Sequence, residues 1–396
     1  MSKIIRLAID GNEANVTNRV GSNFYAFELL QAIYDQVNQR EDLQVSVLLS
    51  SSPMADLPKA SSKWKYQVFG PVRFWTQWAL PIHLFWQQAK YDVFFTPGHY
   101  APRITKVPYI CSVMDLAFLY YPDQFKKSDL IQLKDWTKYS VKNARKVLAI
   151  SQATKNDVIK NYHKKESDVF VAYPALASQK PTNSLTPKKV LKKFRIDQDY
   201  LLYVGTIQPR KNLINLIEAY ESVNRYLQAE NVSNHKNKPN QQHQLDLVIA
   251  GKIGWLSDQI LAKIESSPFS NQIKLLGFVS TAEKEVLYSH AQATILVGLY
   301  EGFGLPPLES MAMGTIPIVS NNSSLPEVVG RGGISVDPNN VGEISKGIKE
   351  VLNLTARQKA IYRKQMREQV KKFSWQKSAS ILIEELINIA NYANKK

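Results

Sequence analysis

The stretch ATILVGLYEGFGLPPLESMAMGTIPIVS, residues 293–320, reads as a strand, a loop, a helix and a second strand in immediate succession. ATILVGL (293–299) and TIPIVS (315–320) are continuous apolar runs of strand length. Between them the spacing predicts a helix from about Pro306, because proline is pre-set for a helix start and lacks the N–H that would be orphaned there. Gly314 is the expected stop. Gly302 and Gly304 allow close backbone approach or a positive φ. A helix start offers N–H groups and partial positive charge, which suits an anion. Glu301 precedes that start, and Glu309 falls in the expected first turn.

The same pattern repeats outward. YLLYVGT (200–206), LDLVIAG (245–251), IKLLGF (273–278) and GISVDP (333–338) are strand-like, with helical stretches over 212–229, 257–266, 281–291, 323–329 and 341–353. Strands apolar on both faces that alternate with helices form a parallel sheet covered on both sides, which binds ligands at its strands' carboxyl ends. The first half is less regular, with strands over 4–10, 45–49, 65–69, 92–97, 108–113, 146–151 and 168–173 and helices over 21–37, 73–89, 128–144 and 153–161. The expected fold class is α/β: two Rossmann-like doubly wound domains, 1–180 and 190–372, facing an interdomain cleft. PALASQKPTNSLTPKK (174–189) reads as a linker and the polar run 230–244 as a surface loop. The tail is helical, with a stripe at Ile381, Ile383, Leu386, Ile389 and Ala390, and its segment 375–396 is expected to pack back across the first domain.

The composition is that of a soluble globular protein: 44% hydrophobic and 21% charged over 396 residues. No apolar run approaches ~18 residues, so no spanning helix is expected. MSKIIRLAIDG (1–11) is too short for a signal-peptide core. Cys111 is the one cysteine, which excludes a disulfide framework and favours a reduced, cytoplasmic location. The six histidines show no ligand spacing, so no metal is inferred. The net charge of +16 is evenly spread, with 23 basic and 15 acidic residues in 1–180 and 27 and 19 beyond. It reads either as a basic solvated surface or as attraction to an anionic partner.

Arg210 and Lys211, in GTIQPRKNL (205–213), stand at a strand-to-helix turn where two cations hold a diphosphate. Glu309 suits the vicinal hydroxyls of a ribose. Glu301 faces a sugar or a charge that develops beside it, with Gly302, Phe303 and Gly304 presenting N–H groups. The two acids could instead form a hydrolase pair; the cation pair at the same sheet edge weighs against this. In the first half, Gly21 opens a helix at the corresponding edge, Asp115 ends a strand in SVMDLAF (112–118), and Gly98 and His99 end another in FTPGHYAP (95–102). The aromatic run RFWTQWALPIHLFWQ (73–87) reads first as a buried helix bent at Pro81, and alternatively as a membrane-surface or acceptor-binding face. DQD (197–199) lies at the wrong strand end for a metal motif, and GRGG (330–333) is no dinucleotide fingerprint.

YEGFGLPPLESMAMGTIPIVSNNSSLPEVVG (300–330), with VGTIQPRKNL (204–213), LVIAGKIGW (247–255) and FSWQKSA (373–379), resembles glycosyltransferase family 4, the retaining GT-B enzymes, in its mannosyltransferase-like bacterial branch. The resemblance implies a nucleotide-sugar donor held by the C-terminal domain, an acceptor held by the N-terminal one, and no obligatory metal or other cofactor. It implies that Arg210 and Lys211 neutralise the leaving diphosphate, that Glu309 binds the ribose, and that Glu301 lies by the donor sugar. Gly302, Phe303, Gly304 and Leu305 would present N–H groups, and Gly21 would approach the phosphates. Many members have His-Asp where this chain has Met114 and Asp115, and an arginine where it has Thr206, which leaves Arg210 as the second cation beside Lys211. The implied reaction is hexose transfer, with GDP-mannose the first donor, to a glycan or lipid-linked glycan in cell-surface polysaccharide synthesis. Another nucleotide sugar such as UDP-glucose, or a non-catalytic nucleotide- or glycan-binding member, are the alternatives. A peripheral contact with an anionic membrane at its cytoplasmic face is expected, and no nucleic-acid partner.

Overall fold

Strands that are apolar on both faces need cover on both faces. The computed structural model, which describes residues 4–177, 185–234 and 245–393, supplies it with two parallel sheets flanked by helices. The chain divides into two units, Met1–Ser178 with Phe373–Lys396, and Gln179–Lys372.

In the first unit the strands are β1 (Ile5–Asp10), β2 (Leu43–Leu49), β3 (Trp64–Val68), β4 (Val93–Thr96), β5 (Tyr109–Val113), β6 (Lys146–Ala149) and β7 (Val169–Val171). They lie in the order β3-β2-β1-β4-β5-β6-β7, every pair parallel. The second unit holds β8 (Asp199–Val204), β9 (Leu245–Ala250), β10 (Ile273–Gly277), β11 (Ala293–Leu296), β12 (Pro317–Ser320) and β13 (Ile334–Val336). Their order is β10-β9-β8-β11-β12-β13, again all parallel. Strand order reverses between β1 and β4 and between β8 and β11. At such a point the loops leave to opposite faces and open a crevice at the strands' carboxyl ends.

The helix Trp375–Ala393 belongs to the first unit. Trp375 Nε1 donates to Leu176 O at 2.9 Å and Ser378 Oγ to Tyr173 O at 2.6 Å. The Trp375 ring packs against Phe24 and Tyr25, and Lys146 pairs with Glu385 at 2.5 Å. The buried stripe runs through Ala379, Leu382, Ile383, Leu386, Ile389 and Ala390; Leu382, and not Ile381, carries its fully buried position.

Several expectations are corrected. The helix Pro187–Lys193 occupies the end of the stretch read as a linker, and 178–184 lie outside the described residues. The helix Leu213–Asn234 runs on into the polar run read as a loop, of which 235–244 lie outside the described residues. The helix Ala356–Val370 was not expected. It buries Met366 and Gln369 while Ile361 is exposed, so its apolar period is faint, although Thr355 and Gln358 close a capping box at its start. The aromatic run is not a buried helix. A π-turn, Trp75–Ala79, leads into the helix Leu80–Trp86, with Pro81 in its first turn. Trp75, Ala79, Leu80 and Leu84 face the core, whereas Phe74, Trp78, Ile82, Phe85 and Trp86 are exposed.

Leu382→Ala should cost about 2–5 kcal/mol of stability, the range for truncating a fully buried leucine. Urea unfolding measures it; a change under about 0.5 kcal/mol, the surface range, would contradict this account of the helix.

Candidate functional site

The turn after β8 and the loop after β11 meet at the second unit's switch point. Pro209–Lys211 form a single 3-10 turn, closed by Asn212 in the left-handed region at φ 57°. The Asn212 side chain donates to Val297 O at 3.0 Å and Pro338 O at 2.7 Å, and Leu299 N donates to Arg210 O at 2.9 Å. Across this seam Lys211 Nζ donates to Glu301 Oε1 at 2.6 Å, with side chains only 14% and 9% exposed. Arg210 Nη1 donates to Tyr300 O at 3.0 Å. A Cβ at Gly298 would stand 3.0 Å from Glu301 Oε1 and 3.3 Å from Arg210 O, so glycine lets the loops close this tightly.

The loop 298–304 is held from behind by SNNSS (320–324), the turn after β12. Ser320 Oγ donates to Gly298 O, Asn322 Nδ2 to Leu299 O, and Ser324 Oγ to both Glu301 O and Phe303 O. Glu301 N donates to Ser323 Oγ at 3.0 Å. The loop ends at Gly304, φ 108°, where a Cβ would meet Leu325 Cδ2 at 2.5 Å. The helix Leu305–Ala312 follows, with no side-chain cap. Pro306 and Pro307 carry no N–H, so the donors at this helix start come from Leu305 and the loop before it.

Glu309 is not in the first turn. It is the fifth residue of the helix, and it takes hydrogen bonds from Lys284 Nζ and, at 2.8 Å, from Tyr288 OH. Burial, and then the Glu309 charge, push the Tyr288 phenol well above its ordinary range. Glu301 and Glu309 are therefore each matched with their own lysine instead of sharing one site as an acid–base pair. The Thr206 carbonyl accepts from Tyr203 OH at 3.1 Å, and its methyl group lies against Gly254.

The first unit's switch point gathers a second set. Gly21, φ 57°, precedes the helix Ser22–Asn38, and space is open where its Cβ would stand. Glu13 accepts from Ser22 Oγ at 3.2 Å and Asn23 Nδ2 at 2.8 Å at this helix start. A Cβ at Gly98 would lie 3.8 Å from Glu13, so the loops after β1 and β4 touch. His99 is half-buried, with its Nδ1 enclosed and lacking a hydrogen-bond partner among the described residues. Burial pushes its imidazole below the ordinary range, opposed by the Asp115 charge. Asp115 Oδ1 accepts from Ala117 N at 3.0 Å, and Met114 O accepts from Thr154 Oγ1 at 3.4 Å. Asp10 is buried beneath this edge and accepts from Asn12 N and Nδ2. Burial pushes its carboxyl up to about 7, with the Asn12 backbone bond opposing and the Glu13 charge adding. The sequence reading did not single out Asp10 and Glu13; their signal was an apolar strand running straight into AIDGNE (8–13).

The titration of Asp10 has a consequence for stability. A carboxyl raised in the folded state favours folding in its protonated form, so its penalty grows as pH rises from about 4 to about 7 and is complete above that window. Asp10→Asn should therefore raise stability at pH 8 by on the order of a few kcal/mol relative to its effect at pH 4. Thermal unfolding of both proteins at the two pH values reads the difference, and parallel pH profiles would refute it.

Residues 188–373 match the family model described as Glycosyl transferases group 1. Over 321 residues the chain is 28% identical to the O-antigen chain mannosyltransferase B of Escherichia coli, covering 78% of this chain and 76% of that one. Two further mannosyltransferase relatives are matched over less of their own length, 60% and 28%. Among solved structures, sucrose-phosphate synthase from Thermosynechococcus elongatus has a TM-score of 0.68 at 17% identity, covering 98% of this chain and 100% of that one. HepE from Anabaena in complex with UDP-glucose has a TM-score of 0.65 at 16% identity, covering 97% and 100%. The chain is thus a glycosyltransferase with the two doubly wound units of the GT-B fold, and its residues 188–373, just under half of it, are similar to the group 1 glycosyl transferases.

Proposed function

We propose that this glycosyltransferase is a retaining family 4 enzyme that transfers mannose from GDP-mannose to a glycan acceptor, lipid-linked at the cytoplasmic face of a membrane, in cell-surface polysaccharide synthesis. The observation that carries the donor half is the Lys211–Glu301 pair at the switch point between β8 and β11, where an open α/β sheet takes its ligand. The mannose half is supported by the relative named as an O-antigen chain mannosyltransferase.

In this reading Lys211 and Arg210 stabilise the negative charge that develops on the departing diphosphate. No metal is needed for that task. Glu301 lies by the sugar, where its carboxylate faces the positive charge growing at C1 and holds Lys211 in place. The loop amides of Gly302, Phe303, Gly304 and Leu305 lie toward the sugar and phosphates, and Thr206 lines the donor side. Glu309, fixed by Tyr288 and Lys284, takes the ribose hydroxyls. The C1–O bond to the diphosphate breaks with its electron pair on the leaving oxygen. The acceptor hydroxyl oxygen bonds to C1 from the same face and its proton passes to that diphosphate oxygen. On the first unit, Gly21 at its helix start and His99, Met114 and Asp115, with Asp10 and Glu13 beside them, are the groups offered to the acceptor.

A thermal-shift screen with GDP, UDP, ADP and their mannose and glucose conjugates, all in EDTA, tests the donor. A raised midpoint with GDP and GDP-mannose is expected, because a ligand bound by the folded state alone must raise it. A shift confined to UDP would move the donor to a UDP-sugar, and no shift in folded protein would overturn the reading. With the donor fixed, Lys211→Met should lower kcat roughly 10²–10³-fold, and Glu309→Ala should weaken nucleotide binding.

A further inference from the structure

The helix Leu80–Trp86 and the turn before it are apolar on two sides. Trp75, Ala79, Leu80 and Leu84 pack into the first unit's core. The opposite face presents Trp78, Ile82, Phe85 and Trp86, spaced i, i+4, i+7 and i+8, with exposures of 64%, 52%, 39% and 75%. Phe74 and Val72 continue it at 53% and 65%. Four large apolar side chains on one solvent-facing face are a patch that soluble proteins rarely leave without a partner.

The charge around this face says what the partner is. From Phe69 to Val107 the chain carries Arg73, Lys90, Arg103 and Lys106 against a single acid, Asp92. Asp92 is withdrawn: its side chain is 6% exposed and paired with Arg6. Arg103 is engaged by Asp135 on the helix Lys127–Asn143. Arg73 stacks over the Phe74 ring at 5.0 Å and Lys106 lies 5.9 Å from the Phe85 ring, so both cations stand beside exposed aromatics. A second copy of the chain seated here would set cations against cations. An anionic bilayer surface instead meets both features, with tryptophan and phenylalanine at the headgroup boundary and arginine and lysine on the lipid phosphates. Among the described residues no helix is long and apolar enough to cross a membrane, so this face would lie on a bilayer.

We propose that Trp78, Ile82, Phe85 and Trp86, flanked by Arg73 and Lys106, seat the first unit in the headgroup layer of an anionic membrane. The inference deepens the lipid-linked-acceptor reading and rests on it, since it names the surface by which the enzyme meets the membrane that holds the acceptor.

Vesicle flotation of the full chain tests it, with phosphatidylcholine alone and with phosphatidylcholine mixed with phosphatidylglycerol. The wild type should float with the mixed vesicles and release in high salt. The double variant Trp78→Ser, Trp86→Ser should bind them at least roughly tenfold more weakly, given the area each ring loses from burial. Arg73→Glu with Lys106→Glu should weaken anionic-vesicle binding by at least roughly fivefold per cation. Each variant must keep the wild-type unfolding midpoint. Phe278→Ser, which removes an exposed ring from the second unit, should float like the wild type. Wild-type protein that ignores both vesicle types, or variants that float equally well, would overturn the proposal. So would a dimer in sedimentation that the Trp78→Ser, Trp86→Ser variant abolishes without vesicle binding, which assigns the face to a second copy. Nucleotide binding is read without vesicles, so failure of the donor reading and failure of this one are separate results.

Discussion

A lysine and a glutamate 90 positions apart hold the switch point of the second unit together. Strands β8 and β11 are neighbours whose following loops leave to opposite faces of the sheet, so the backbone by itself opens a gap at their ends. The Lys211–Glu301 pair bridges it. Both side chains are largely out of water, and a charge in that position left without its partner would be costly. The pair therefore ties the turn 209–212 to the loop 298–304 in one arrangement. Asn212 and Gly298 make that arrangement sterically possible, the first by adopting a left-handed conformation and capping two carbonyls, the second by having no Cβ.

The loop so fixed is a rigid platform. Its carbonyls are occupied by Ser320, Asn322 and Ser324, which leaves its conformation little freedom. Behind it, Tyr288 and Lys284 orient Glu309 from a different helix, Thr281–His290. Two carboxylates eight positions apart in the chain are thus placed by two unrelated sets of partners. The first unit uses the same topology differently. Its switch point collects Asp10, Glu13, His99 and Asp115, groups that burial drives toward their neutral forms where a shift is resolved. Neutral or weakly charged hydrogen-bonding groups suit sugar hydroxyls, whereas the cations of the second unit suit phosphates.

Where the sequence reading of the fold went astray, it did so for identifiable reasons. The helix Ala356–Val370 lies on the surface and buries little, so its apolar period is too weak to see. The aromatic run 73–87 has the composition of a core segment, and composition cannot say which side of a short helix faces water. Asp10 and Glu13 escaped notice because an acid at a strand end looks the same whether it is solvated or enclosed; the enclosure comes from β2 and β4, remote in the chain, and from the helix Ser22–Asn38 that follows.

By itself the sequence determined the α/β class and the two doubly wound units. Those follow from local signals: apolar runs of strand length, helical periods between them, and glycine or proline at the junctions. Arg210, Lys211 and Glu301 were legible as residues of strand-to-helix junctions within short motifs, whereas Glu309, read into the first turn, lies deeper in its helix. Only the tertiary structure decided who pairs with whom. That Lys211 meets Glu301, that Glu309 answers to Lys284 and Tyr288, and that Trp78 and Trp86 face outward all depend on strand order and on contacts between segments 21 to 90 residues apart or on which helix face the core takes. Pairing energies of that kind arise only once the chain has closed, so no local pattern records them.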